Sequence, residues 1–446
     1  MTHSTLSLAE FQFFLSLSFM AIFFAIEFGL SWMLFIYRLR TLGQVSSIWL
    51  GAYRTWVRVF ALALILSLAA SIPVIIFLGS LWPQFMATTA LLSSPLLAVI
   101  IVTTLMLKSS FLGLMLYGQR RLTPWVHCMV IGVVAVANTA ILVLLAFWFG
   151  WLHFPVGGQW QEGSLMALDW AQVFTNPLAF WYLVLFAGAS FLLVALMIQA
   201  FIFWQSLRRP AGEAERRNIR LTMLFSMVAF AALIIGFVGH GYWLGLHQPQ
   251  KAAALSGYWH SASTPQWLLG AWADEQHQGY RFSFGFSFPQ AFWLGQDEQQ
   301  QYIGLDKSVG MLPPLNAVFW FTRLALLLGL LMLVAQLRTW IPLMRRHFDP
   351  DHLSRRWRRW LVSMPCLAVI FLWSALAYQF FGVLPYAIFQ VLTTSDLYAH
   401  LPLSWLIAGT ASTTVVYLLA MGGFILLLRH VAQHGVVPVG RQRGGL

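Results

Sequence analysis

The amino-acid sequence predicts an all-α integral membrane protein: nine transmembrane helices in a bundle, with one long extracytoplasmic loop. Three observations predict it. The 446 residues are 59% hydrophobic and only 9% charged, with a mean hydropathy of +0.74, so a water-soluble globule could not hide the apolar surface. Apolar runs recur at the length of a membrane span, about twenty residues rising about 1.5 Å each, without the period-2 alternation of a barrel. Arginines collect in alternate connections, as the positive-inside rule requires.

The expected spans are Leu8–Tyr37, Gly51–Ser80, Ser94–Tyr117, Val126–Leu152, Pro177–Trp204, Asn218–Gly245, Pro313–Trp340, Trp360–Phe381 and Leu403–Arg429. The first has no basic leader and no small-residue cleavage site, and it ends in Tyr37-Arg38-Leu39-Arg40, which reads as a retained span. One set of connections carries Arg38, Arg40, Arg54 and Arg58, then Arg120 and Arg121, then Arg208, Arg209, Arg216, Arg217 and Arg220. It continues through Arg345, Arg346, Arg355, Arg356, Arg358 and Arg359 to Arg429 and the tail arginines. The other set is nearly free of Lys and Arg, which predicts an N-terminus outside and a C-terminus in the cytoplasm.

The formal charge of +12 therefore reads as a topology signal facing the lipid bilayer, and no nucleic-acid partner is expected. Cys128 and Cys366 both lie in apolar runs, so no disulfide framework follows.

Between spans six and seven lies the only long polar stretch, 247–312, rich in Trp, Tyr and Phe. A disordered linker would lack those side chains, so it reads as a folded cap. The expected organisation is 1–246 as a six-helix membrane part, 247–312 as the cap, 313–430 as a three-helix membrane part and 431–446 as a cytoplasmic tail. The connections His153–Asn176 and Gly382–Pro402 mix aromatic and small polar residues, as at headgroup depth.

Ionisable residues inside a membrane are costly and are paired or functional. Glu27 lies eleven residues before Arg38 and Lys108 twelve before Arg120, so both sit about 16–18 Å from the inner boundary. Arg323, ten residues into its span, reaches a similar depth. A buried ion pair of Glu27 with Lys108 or Arg323 is the plainer reading. An ion relay is the sharper one, weakened because two cations lower the pKa of the single carboxylate. His240, in Gly239-His240-Gly241-Tyr242, reads as a hydrogen-bonded interfacial histidine, with metal ligation as the alternative. His247, His260 and His277 lack zinc-site spacing, and no metal site is expected. No GxGxxG, Walker-type loop, CxxCH or GxSxG occurs.

Colinear fragments along nearly the whole chain resemble the cytochrome bd-type quinol oxidases, specifically their subunit I. They are Leu8-Ala9-Glu10-Phe11-Gln12-Phe13, Ser109-Ser110-Phe111-Leu112-Gly113-Leu114 with Gly118, and Asn138 with Phe154-Pro155-Val156-Gly157. Further along come Asn176-Pro177-Leu178-Ala179, Gln250-Lys251-Ala252-Ala253-Ala254, Ile303-Gly304-Leu305, and Gly382 with Pro385 and Ala387-Ile388. The resemblance implies a bacterial inner-membrane protein, a quinol-binding loop in the cap, three haems held through two histidines and a methionine, and a second membrane subunit.

The departures fall on that chemistry. At the three haem-ligand positions the sequence has Met20, Leu185 and Ala325. The acidic pair of the third span becomes Ile100 and Lys108, the quinol-loop glutamate becomes Ser256 five residues after Lys251, and Arg-Gln of the GRQPW motif becomes Val383-Leu384. Leucine and alanine offer iron no lone pair. The resulting expectation is a haem-poor structural or regulatory subunit of a quinol-oxidising complex. It has no cofactor of its own, with haem in the partner subunit, and its cap is read as a lid that protects the bundle and docks a partner, the alternative being a cap that holds a quinone-like head group near Lys251. The alternatives are an active quinol:O2 oxidoreductase with relocated ligands such as Met20 and His240, or a transporter lined by Glu27, Lys108 and Arg323.

Overall fold

A computed structural model describes residues 2–42, 47–308 and 310–434, with the side chains of 2–4, 47, 108, 109 and 434 outside the described set. The membrane part opens with α1 (Thr2–Arg40), α2 (Ser47–Ser80), α3 (Pro83–Thr88), α4 (Ala90–Met106), α5 (Leu112–Tyr117) and α6 (Pro124–His153). After a hairpin of β1 (Gly158–Gln161) and β2 (Ser164–Leu168) come α7 (Trp170–Phe174), α8 (Pro177–Ser206) and α9 (Glu213–His247). The cap contains α10 (Pro249–Ser256) and a hairpin of β3 (Gln266–Asp274) with β4 (Gly279–Ser287). The chain closes with α11 (Leu315–Arg345), α12 (Arg355–Val362) and α13 (Met364–Phe381), the strands β5 (Tyr386–Ile388) and β6 (Leu392–Thr393), then α14 (Thr394–Leu397) and α15 (Leu403–His434).

Among the described residues eight helices, not nine, are long and apolar enough to cross a membrane. The expected third span, Ser94–Tyr117, is helical along its length but broken by a π-helical turn at Leu107–Phe111. That leaves α4 with 17 residues, short of a span by itself. Hydropathy reads composition and is blind to a slip in the i→i−4 hydrogen-bond ladder, which is what a π turn is. Lys108 sits in this turn.

Helix starts follow local chemistry. Asn176 Oδ1 accepts from the backbone N–H of Leu178 at 3.0 Å and of Ala179 at 3.4 Å, with Pro177 in the first turn. Proline gives up no intrahelical bond there. Thr123 caps α6 in the same way, through Val126 and ahead of Pro124.

The bundle is built around α1, the most buried span, which touches α2, α6, α8, α13 and α15. At the other extreme α15 is the most exposed span, the position of a lipid-facing helix. Between α8, α9 and α11 three buried side chains close a ring. Gln336 Nε2 donates to Gln199 Oε1 at 2.8 Å, and Ser226 Oγ donates to Gln336 Oε1 at 3.1 Å. Gln199 Nε2 completes it toward Ser226 Oγ at 3.5 Å. In lipid such amides have no water to turn to, so they tie helices together. The arginine-rich loops are laced by surface pairs, Arg216–Asp349 at 2.8 Å and Arg358–Asp351 at 2.7 Å, which are worth little individually.

Candidate functional site

A cavity of about 970 Å³ runs through the bundle, walled by α1, α2, α4, α6, α8, α9, α11 and α13. Met20, Leu185 and Ala325 all line it, as do Ile100, Glu27 and His240. Positions that lie 305 residues apart in sequence thus face one space. Most of the wall is Leu, Ile and Phe, and its polar groups gather in two places.

One is Glu27, 2% exposed, whose Oε2 accepts from Ser67 Oγ at 2.7 Å. The side chain of Lys108 lies outside the described residues, so the expected Glu27–Lys108 pair is not described. The alternative partner, Arg323, is engaged elsewhere. Its guanidinium donates to the carbonyls of Leu255 and Leu268, to Ser256 O at 3.2 Å and to Phe319 O at 3.3 Å. It also lies over the Phe319 ring at 3.5 Å and the Trp267 ring at 4.9 Å. Arg323 therefore clamps the cap to α11 and makes no ion pair with Glu27 among the described residues. The chain offers the guanidinium backbone oxygens because α10 ends directly above it, and a planar fork with five donors suits several acceptors at once.

The second polar place is the cap end of the cavity, and it contains residues the sequence reading missed. Lys251 is buried (1% exposed) although it lies in the cap. Its Nζ donates to Gln379 Oε1 at 2.5 Å and to Gln379 O at 3.3 Å, and lies 5.0 Å from the centre of the Tyr378 ring. Burial pushes the pKa of the Lys251 amine well below its ordinary value. Gly382 makes room for the lysine stem, because a Cβ there would come within 2.8 Å of Lys251 Cε.

The lysine sets the orientation of its neighbours. Lys251 Nζ donates to the Gln379 carbonyl oxygen, and the amide nitrogen turns to His240 Nε2 at 3.3 Å. His240 Nε2 thus accepts, which assigns the proton to Nδ1, 3.4 Å from Tyr378 Oη. His153 Nδ1 donates to Phe149 O at 2.8 Å, and Nε2 lies 3.4 Å from Gln379 O. Gln248 Nε2 donates to His153 O at 2.7 Å. Tyr182 stacks edge-on to His153 and tilted against His240, but its buried Oη has no hydrogen-bond partner. The one available sequence signal was polarity out of place: a histidine closing span four and a glutamine near the end of span eight.

Ser256 is already committed. Its Oγ donates to Ala252 O at 2.8 Å and accepts from Trp293 Nε1 at 3.0 Å. No group of three or more His, Cys, Asp or Glu with metal-holding geometry occurs among the described residues.

The cavity is large enough for a planar cofactor, but the residues present do not reproduce a two-histidine, one-methionine donor set. Leu185 and Ala325 end in carbon and Met20 offers only a thioether. The two histidines on the wall direct both ring nitrogens at protein atoms.

Comparison with known proteins matches the whole assembly. A family model described as cytochrome bd terminal oxidase subunit I covers residues 8–436. The cytochrome bd-II ubiquinol oxidase subunit 1 of Escherichia coli (strain K12) is 20% identical over 96% of each chain. The cytochrome bd ubiquinol oxidase subunit 1 of Bacillus subtilis (strain 168) is 23% identical over 82% of this chain and 80% of that one. In three dimensions the bd oxidase from Geobacillus thermodenitrificans superposes with a TM-score of 0.86 at 17% identity, over 97% of this chain and 99% of that one. With the family model matching nearly the whole chain and the fold in agreement, the chain belongs to the cytochrome bd terminal oxidase subunit I family.

Proposed function

We propose that this chain is a haem-poor subunit of a respiratory quinol-oxidising complex, with a structural or regulatory role beside a second bd-type membrane subunit. One observation carries the reading: the three positions where relatives are expected to ligate haem face one cavity and present Met20, Leu185 and Ala325. A carbon side chain cannot be recruited by tautomer or pKa. The haem that such a complex needs then resides in the partner subunit. The protein sits in the bacterial inner membrane with its N-terminus outside and its C-terminus cytoplasmic, in keeping with the arginine distribution. The segments 1–246, 247–312, 313–430 and 431–446 act as membrane part, cap, membrane part and tail.

The reading is tested on the purified chain by a pyridine haemochrome assay and a reduced-minus-oxidised spectrum. No low-spin b-type signal is expected. One haem per chain with a sharp α-band would sink it. The rival, an active oxidase with relocated ligands, draws on Met20 and His240 lining the same cavity. It requires that Met20→Leu or His240→Ala abolish such a band.

A further inference from the structure

We propose that the cavity binds a long-chain carboxylate, a fatty-acid-type amphiphile from the bilayer, with its head at Tyr182, His240 and the Gln379–Lys251 pair and its chain along the apolar wall. The inference rests on the haem-poor reading, because a haem in the same space would exclude the acyl chain.

Three features point to this ligand. The first is shape: about 970 Å³ lies at the upper end of the roughly 300–1,000 Å³ of small-molecule pockets, and the wall is apolar except at its ends. The space is not sealed. Ile234 on α9 and Leu326 and Leu330 on α11 line it and are exposed, so its side faces lipid. The second is an unspent donor: Tyr182 lines the cavity and is buried, and its hydroxyl has no partner. A buried hydroxyl without a partner is destabilising, and an acceptor-bearing head removes that cost.

The third is charge. Among the described residues Lys251 is the only Lys or Arg of this cluster, and its partners are the neutral Gln379 and the Tyr378 ring. Gln379 stands between Lys251 and the cavity, its carbonyl accepting from Lys251 and its amide nitrogen facing His240 on the wall. A carboxylate at His240 and Tyr182 would supply the missing anion and favour the charged form of Lys251. The Tyr182 hydroxyl, unpartnered among the described residues, is a donor that a carboxylate oxygen accepts from. Esters and alcohols of the same chain length would fill the wall without meeting the charge.

The experiment uses the full chain in detergent with oleate and methyl oleate as probes, read by thermal shift and by native mass spectrometry. The visible spectrum of the same sample is recorded first. Oleate is expected to bind at one per chain and raise Tm by several degrees, with methyl oleate at least tenfold weaker. Tyr182→Phe removes a buried hydroxyl that makes no bond, so the unliganded Tm should hold or rise while oleate affinity falls about tenfold, near 1.4 kcal/mol. Lys251→Met should weaken oleate and leave methyl oleate unchanged.

If the sample is haem-free and oleate does not bind, or methyl oleate binds equally, this inference is wrong and the haem-poor reading stands. Unchanged oleate affinity in Tyr182→Phe overturns it as well. A stoichiometric haem spectrum removes both readings.

Discussion

At the scale of single residues, Arg323 shows how a charge becomes tolerable without a counter-charge. Its donors meet carbonyls of Leu255, Ser256, Leu268 and Phe319, and two rings cover its face. Hydrogen bonds to a charged group contribute about 1.5–3 kcal/mol each, and acceptors left unsatisfied after truncation cost more. Arg323→Met should therefore destabilise the protein by on the order of 3 kcal/mol, seen as a lower Tm in detergent. Arg323→Lys should recover only part of that, because an ammonium cannot span the same fork of acceptors. A Met variant that melts like the parent would mean the clamp is incidental. Lys251 is the opposite case, a cation with one neutral amide partner, and the two cations together separate the clamp from the candidate binding site.

At the scale of elements, the β3–β4 hairpin is the least covered part of the cap. Phe282, Phe284 and Phe286 alternate along β4, so they share one face, and all three are exposed, as is Phe288 just beyond the strand. An apolar row of this kind marks an interaction surface, and a neighbouring membrane subunit at the cap face would cover it. Phe284→Glu with Phe286→Glu should leave the stability of the isolated chain within about 0.5 kcal/mol of unchanged. Co-purification of a co-expressed second bd-type subunit should drop severalfold. Equal recovery of that subunit would rule out this face as its dock. The register with β3 is held partly by Gly285, where a Cβ would come within 2.3 Å of Trp267 O.

At the scale of the whole molecule, the cap closes over the bundle through Lys251 and Arg323, and neither side chain points to the outer surface. Quinol oxidation needs a base for the hydroxyl protons. At the quinol-loop position Ser256 is a weak base whose oxygen is bound to Ala252 and Trp293. Reduced quinol added anaerobically with an artificial electron acceptor should give no turnover with the purified chain. Turnover lost on Lys251→Ala would instead favour the active-oxidase rival.

Much of this molecule was legible in its sequence. Apolar runs foretold helices because lipid offers the backbone no partner, so each segment must satisfy its own hydrogen bonds. Colinear fragments foretold the family, and the polar, aromatic-rich 247–312 was the stretch in which α10, β3 and β4 form. Met20, Leu185 and Ala325 were singled out by that resemblance alone. Tertiary structure decided the rest. The π turn that interrupts the third apolar run depends on hydrogen-bond register, which hydropathy does not carry. Arg323 met carbonyls of the cap because α10 and β3 fold over α11. His153, Tyr182, His240, Lys251 and Gln379 converge from four helices and the cap, and only the packing of those helices brings them together. A one-dimensional pattern records which face of a helix is apolar, but a polar cluster shared between elements exists only once their rotations and crossings are set.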